Sequence, residues 1–231
     1  HGRVDRYEIA AVEDFALTPE TVLTAYDGER IVYLTSPHNP TGNRFSIQAI
    51  QEIADRTDEQ TLVIVDEAYG EFATGPSART LLNEREDVAI LRTFSKAYGL
   101  AGLRLGYAIV PEAWADAYAR VNTPFAASSV SCRAGLAALE DEGHVERTLE
   151  TVEWARAYMQ SEIEAPVHRS HGNFVMVEVG DGTAVSDQLR ERGVIIRDLT
   201  SFGLPEYVRI TAGIEAETER AVSELNEVLA K

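Results

Sequence analysis

Apolar runs of strand length recur through the first half of the chain, at Ile31–Thr35, Leu62–Asp66, Val88–Thr93 and residues 105–110. Each predicts a short, buried strand. Between the first two the rhythm changes: Ile47, Ile50 and Ile53 fall on one helical face, and Ser46 stands where an N-cap belongs. Strand runs alternating with helices predict an α/β layer built on a mostly parallel sheet. Residues 114–121 and 134–139 read as helices, and 145–163 as a longer one. After Pro166 the pattern shifts to strands at 173–179, 194–197 and Tyr207–Thr211, with helices near 184–192 and 215–230. That stretch predicts a small α+β domain. The expected layout is a large domain over residues 1–140, a connecting helix over 141–165 and a small C-terminal domain over 166–231.

Composition narrows the classes of function. A chain of 231 residues, 45% apolar and 26% charged, can bury a real core and is ordinary for a soluble globular protein. No run approaches a membrane span. Arg3, Asp5 and Arg6 interrupt any apolar leader. The single cysteine, Cys132, cannot close an internal disulfide, and a reducing cytoplasm is the expected compartment. A net charge of −17 argues against nucleic acid, whose phosphates need clustered Lys and Arg. Only two of the 21 basic residues are lysines, Lys96 and Lys231. An acidic, lysine-poor chain looks salt-adapted, although drift in a GC-rich genome would leave the same signature. Within the chain lysine survives once, and only an amine, never a guanidinium, can form a Schiff base. Lys96 therefore points at chemistry.

Four segments follow strand ends, where ligands of open α/β sheets bind. Ser36-Pro37-His38-Asn39-Pro40-Thr41-Gly42 is an irregular turn that could hold a cis X-Pro bond; alone it reads as a plain surface turn. Val63-Ile64-Val65-Asp66-Glu67-Ala68-Tyr69 brings a carboxylate out of an apolar strand, which is costly unless a cation or strong donor meets it. It also resembles the magnesium-binding strand of a P-loop ATPase, but no Gly-Lys pair exists to build that loop. Residues 93–106, TFSKAYGLAGLRLG, gather two hydroxyls, Lys96, three glycines and Arg104, the parts of an anion cradle. Thr93 and Lys96 have S-x-x-K spacing, but the companion segments of such hydrolases are missing. Arg197 and Arg209, each on an expected strand, suit a carboxylate or phosphate; for Arg197 a surface ion pair is an equal reading. The histidines do not suggest a metal.

In order and spacing, N-P-T-G, D-E-A-Y, T-F-S-K-A-Y-G-L-A-G-L-R-L-G, G-N-F-V and F-G-L-P…V-R-I-T-A-G resemble the fold-type I aminotransferases, most closely the histidinol-phosphate aminotransferase family. The resemblance runs over essentially the whole chain. It implies the mostly parallel sheet of that family's large domain, incomplete here, plus the small C-terminal domain. It implies pyridoxal 5'-phosphate as cofactor, attached to Lys96, which would also shuttle the substrate proton. Asp66 would pair with the pyridine nitrogen and keep the ring an electron sink. Asn39 and Tyr69 would bond the phenolic oxygen, and Thr93, Ser95 and Arg104 would hold the phosphate. Arg209 would take the α-carboxylate of the amino donor, glutamate included, with Arg197 and Asn173 helping to place the substrate. The implied reaction is amino transfer between L-histidinol phosphate and 2-oxoglutarate in histidine biosynthesis, by a cytoplasmic homodimer. Alternatives are a phosphothreonine decarboxylase-like enzyme of the same fold and a non-catalytic binding module. Family members carry an N-terminal segment ahead of the point matching His1, with further cofactor contacts, so this stretch alone is expected to bind cofactor weakly or not at all.

Overall fold

The computed structural model describes residues 2–123 and 125–231. They form two compact units: residues up to Pro37 together with Asn43–Glu142, and His38–Gly42 together with Gly143–Lys231.

The first unit is α/β. It contains α1 (Pro19–Leu23), β1 (Ile31–Thr35), α2 (Ile47–Arg56), β2 (Leu62–Asp66), β3 (Val88–Thr93), β4 (Gly106–Ile109), α3 (Glu112–Val121) and α4 (Ser129–Glu140). The sheet order is β1-β2-β3-β4, with the first three strands parallel and β4 antiparallel to β3. Parallel neighbours need crossovers, and α2 supplies the first. Ser46 caps α2 as its sequence predicts, its hydroxyl accepting from the Ala49 N–H at 3.0 Å. The helix buries Ala49, Ile50, Ile53 and Ala54 against Val32, Leu34, Val63, Val65, Val88 and Ile90 of the sheet. These six strand residues are alternate positions, so they share one face. Fully burying one such side chain is worth about 1.5–3 kcal/mol.

The expectation that all four strands are buried holds only for the middle pair. In β1, Ile31 and Tyr33 are exposed, and in β4 Tyr107 is. Both strands lie at the sheet's edges; Ile31 and Tyr33 sit on the face that α2 does not cover, whereas Tyr107, paired with Arg92, belongs to the α2 face at the opposite edge. Two other elements escaped the sequence pattern: α1, a five-residue turn capped by Thr18, and the helix α4, which starts at Ser129 rather than 134. Ser128 caps α4 by accepting from the Ser131 N–H, extending the helix through polar residues that carry no apolar period.

The second unit is α+β. It holds α5 (Glu142–Glu162), β5 (Val167–His168), β6 (Phe174–Glu178), α6 (Gly182–Glu191), β7 (Arg197–Asp198), β8 (Tyr207–Thr211) and α7 (Glu215–Leu229). Its sheet is wholly antiparallel, order β5-β6-β8-β7. Val175, Val177, Val208 and Ile210 meet Ala155, Met159, Leu189, Val222 and Leu225 of the helices in one core. The strand expected at 194–197 shrinks to Arg197–Asp198. Gly193, at φ +79, closes α6 with its N–H on the Arg190 carbonyl, and the Val194 N–H returns to Leu189. That double cap holds the backbone to the helix, so the ladder with β8 begins only at Arg197. No helix among the described residues is long and apolar enough to cross a membrane.

Candidate active site

The three parallel strands of the first unit end at one edge, and the candidate residues of that unit gather there. Asp66 is the last residue of β2 and Thr93 the last of β3. Register pairs Asp66 with Leu91, so Asp66 and Thr93 stand on the face opposite the α2 core. The Asp66 carboxylate accepts from the Ala68 N–H at 2.9 Å and from the Tyr33 hydroxyl. A carboxylate has about four lone-pair positions, so it keeps room for a further donor. Partial burial, reinforced by the Asp66 carboxylate, pushes the Tyr33 hydroxyl well above the usual phenol range. Its proton therefore stays on and serves Asp66 as a hydrogen bond.

Lys96 lies in the loop that leaves β3. Its ammonium sits 5.0 Å from the centre of the Tyr69 ring, a cation–π distance, and no hydrogen bond reaches it among the described residues. Tyr69 is buried and three residues beyond Asp66, so the segments leaving β2 and β3 meet at this ring. Thr93 Oγ1 accepts from the Ser95 N–H at 3.0 Å, which folds the loop back at its start. Gly106 allows the return: a Cβ there would stand 2.9 Å from the Arg92 carbonyl oxygen. Arg104 is exposed in the left-handed region at φ 50, a conformation of order 1–3 kcal/mol above the ordinary one for a residue with a Cβ. Its guanidinium donates to the Ala101 carbonyl at 2.9 Å within the same turn.

The remaining candidates belong to the second unit. The peptide bonds Ser36-Pro37 and Asn39-Pro40 are both cis, and the segment 38–42 is tied to the 170–172 turn. The His171 N–H donates to the Gly42 carbonyl at 2.8 Å. Gly42, at φ +81, passes so close to Ser170 that a Cβ would fall 2.3 Å from its hydroxyl oxygen. Arg209 donates to the Asn39 side-chain oxygen and lies over the Phe174 ring at 5.1 Å. Arg197 and Arg209 are directly opposite each other on β7 and β8. Both line a cavity of about 710 Å³, which Arg190, Arg220 and Glu217 also border. Asn173 stands just before β6, its carbonyl accepting from the Ala212 N–H at 2.9 Å.

Two features of the first unit carry no motif signal. Tyr33 reaches Asp66 diagonally across parallel strands, a contact fixed by register and not by spacing. Arg92 binds Glu67 at 2.7 Å and Glu71 at 2.8 Å. The doubled carboxylate of D-E-A-Y was the available clue, since strand alternation must send Asp66 and Glu67 to opposite faces.

Residues 1–225 match the family of class I and II aminotransferases. The chain belongs to the class I and II aminotransferases. Within that family it is 65% identical over 229 residues to a histidinol-phosphate aminotransferase of Haloarcula marismortui, and 61% identical to one of Natronomonas pharaonis. Each match covers 99% of this chain, and the chain spans 64% of the length of each relative. Among solved aminotransferases, the histidinol-phosphate aminotransferase of Sinorhizobium meliloti, determined with pyridoxal-5'-phosphate, is 30% identical with a TM-score of 0.78. That similarity covers 87% of this chain and 57% of the other. The mostly parallel sheet and the α+β unit are thus those of a fold-type I aminotransferase.

Proposed function

We propose that the whole protein to which this chain belongs transfers the amino group of L-histidinol phosphate to 2-oxoglutarate, using pyridoxal 5'-phosphate held on Lys96. The observation that carries the reading is the meeting of the β2 and β3 exits, where the Lys96 amine lies over Tyr69 and Asp66 keeps acceptor capacity. These residues suit the cofactor: an amine with no competing hydrogen bond among the described residues, and a carboxylate pre-set by two donors. High identity to haloarchaeal histidinol-phosphate aminotransferases supports the substrate.

The bound cofactor supplies an electron sink for the charge that develops when the substrate Cα loses its proton. Lys96 is the covalent anchor and afterwards the base that takes and returns that proton. Asp66 holds a proton on the ring nitrogen, and Tyr33 and Ala68 keep the carboxylate aimed. Tyr69 and Asn39 donate to the phenolic oxygen. Thr93, Ser95 and Arg104 bind the phosphate, for which Arg104 must turn from the Ala101 carbonyl. Arg209 binds the α-carboxylate of 2-oxoglutarate and of the glutamate formed from it, or the phosphate of L-histidinol phosphate, while Arg197 and Asn173 place the rest. Two like charges opposite each other on neighbouring strands disfavour the sheet, and an anionic substrate would relieve that repulsion.

On this reading the first unit is the large cofactor domain, α5 leads out of it and the remainder is the small domain. The working form is a cytoplasmic homodimer, and the charge of −17 is an adaptation to salt. Borohydride reduction after addition of the cofactor should leave a mass adduct on Lys96, which Lys96→Ala abolishes. Histidinol phosphate and 2-oxoglutarate should yield glutamate. An undiminished adduct in Lys96→Ala would remove Lys96 from its role. Release of carbon dioxide from O-phospho-L-threonine, with no keto acid turned over, would replace amino transfer by decarboxylation.

A further inference from the structure

The edge that carries Asp66 and Thr93 has a second face, and its contents serve no step described so far. Side chains alternate along β2 and β3, so Glu67 and Arg92 turn to the side opposite Asp66 and Thr93. There the Arg92 guanidinium forks. One nitrogen meets Glu67 Oε2 at 2.7 Å and the other donates to Glu71 Oε1 at 2.8 Å. Glu67 is satisfied on both oxygens: the Ala78 N–H donates to Oε1 and the Ser77 hydroxyl to Oε2, each at 2.7 Å. The side chains of Glu67, Glu71 and Arg92 are 7%, 11% and 15% exposed. Room for substitution is small, because even a Cβ on Gly70 would come within 3.0 Å of the guanidinium carbon.

The sequence positions of these groups matter as much as the contacts. Glu67 and Glu71 bracket Ala68, Tyr69 and Gly70, immediately after Asp66. Arg92 precedes Thr93 and stands four residues before Lys96. One guanidinium therefore ties the segment bearing the acid and the aromatic ring to the segment bearing the amine. Each exit has backbone bonds of its own, Gly70 N–H to the Glu67 carbonyl and Leu100 N–H to the Phe94 carbonyl among them, but among the described residues Glu67 N–H to the Leu91 carbonyl at 3.0 Å is the last backbone bond between the two strands.

We propose that Arg92 is a positioning residue which, through Glu67 and Glu71, sets Lys96 against Asp66 and Tyr69 from behind the sheet. The inference rests on the cofactor reading above, for it assigns Arg92 no contact with cofactor or substrate. Lysine at position 92 keeps the charge but replaces the rigid planar fork by one rotating ammonium on a shorter reach.

The test compares the full-length protein with Arg92→Lys, and with Glu71→Gln as a milder variant should Arg92→Lys fold poorly. Hydrogen exchange is followed without cofactor, and the visible band of the Lys96-bound cofactor is titrated with pH. In Arg92→Lys, exchange at 67–72 and 94–99 should rise together by about tenfold, while Ile47–Arg56 stays as in the parent. The midpoint of the band should move, and the reduced adduct on Lys96 should form several-fold more slowly, since a misplaced amine meets the cofactor less often. Glu71→Gln should show the same coupled changes at smaller size. Exchange that rises in one segment only, or equally across the unit, overturns the lock, as does an unmoved band midpoint in a folded Arg92→Lys. If the parent itself forms no Lys96 adduct, the cofactor reading fails instead, and coupled exchange in the two segments still decides whether Arg92 joins them.

Discussion

Each unit contains an arginine bonded to two glutamates, and the two clusters differ in nearly everything else. In the first unit Arg92, Glu67 and Glu71 are withdrawn from water at the end of a parallel sheet. In the second, Arg192 at the end of α6 meets Glu224 at 2.7 Å and Glu227 at 2.8 Å on α7, and the Glu227 side chain is 65% exposed. Burial opposes the charge on Arg92, yet the carboxylates of Glu67 and Glu71 outweigh it and hold the guanidinium above its ordinary pKa. The same bonds at the surface compete with water and salt at little gain. A short distance between charges is thus no measure of importance. What matters is the state left behind when one partner goes. Removing Arg192 leaves Glu227 in water and Glu224, 26% exposed, able to reach it, whereas removing Arg92 strands two buried carboxylates.

The largest expected effect follows directly. Arg92→Met should cost the first unit about 3–5 kcal/mol, measured by chemical denaturation, because Glu67 and Glu71 lose their cation in a site they cannot leave. Arg192→Met should move the denaturation midpoint of the second unit hardly at all, and less still at high salt. Equal losses for the two would erase the distinction between them.

The buried cluster should also be unequal within itself. Glu67 uses both oxygens, while Glu71 Oε2 is buried with no hydrogen bond among the described residues. Glu67→Gln turns an acceptor towards the donors Ser77 and Ala78 into an amide that matches only some of them, a loss of about 1–3 kcal/mol. Glu71→Gln removes an unmatched oxygen charge from a cluster with one cation and two anions, and its cost should be much smaller. Paired thermal melts would check the order, and a reversed order would mean that Glu71 is the principal anchor.

A histidine extends the same rule to a group that can shed its charge. Burial lowers the pKa of His38 from 6.5 to about 4. The unfolded chain therefore binds the proton more readily, and the stability that neutral His38 contributes is present above about pH 6.5 and lost as pH falls towards 4. His38→Gln should flatten the dependence of the melting temperature on pH across that window. An unchanged slope would assign the acid sensitivity to carboxylates.

Much of this was legible in one dimension. The runs Leu62–Asp66 and Val88–Thr93 lie where the strands are, and Ser46 caps α2, because apolar period and N-cap chemistry act over a few residues. The candidate residues announced themselves by type: a lone internal lysine, a carboxylate at the end of an apolar strand, and arginines on strands. What stayed hidden depended on partners far along the chain. Arg92 carried no sign of its two glutamates, and the exposure of Ile31 and Tyr33 depends on which strand falls at the edge and which face α2 covers. The run 194–196 was misleading in the other direction, since Gly193 caps α6 and delays β7.

By itself, then, the order of residues determined which segments become helix or strand and which side chains bring an amine, an acid and anion-binding groups. Those follow from local sterics and from chemistry that a side chain carries wherever it sits. Only the folded chain decided that β2 and β3 are parallel neighbours, that Asp66 and Glu67 turn to opposite faces of one edge, and that Arg92 meets both glutamates behind it. Such contacts arise from register between strands more than twenty residues apart, and no short-range pattern encodes that register.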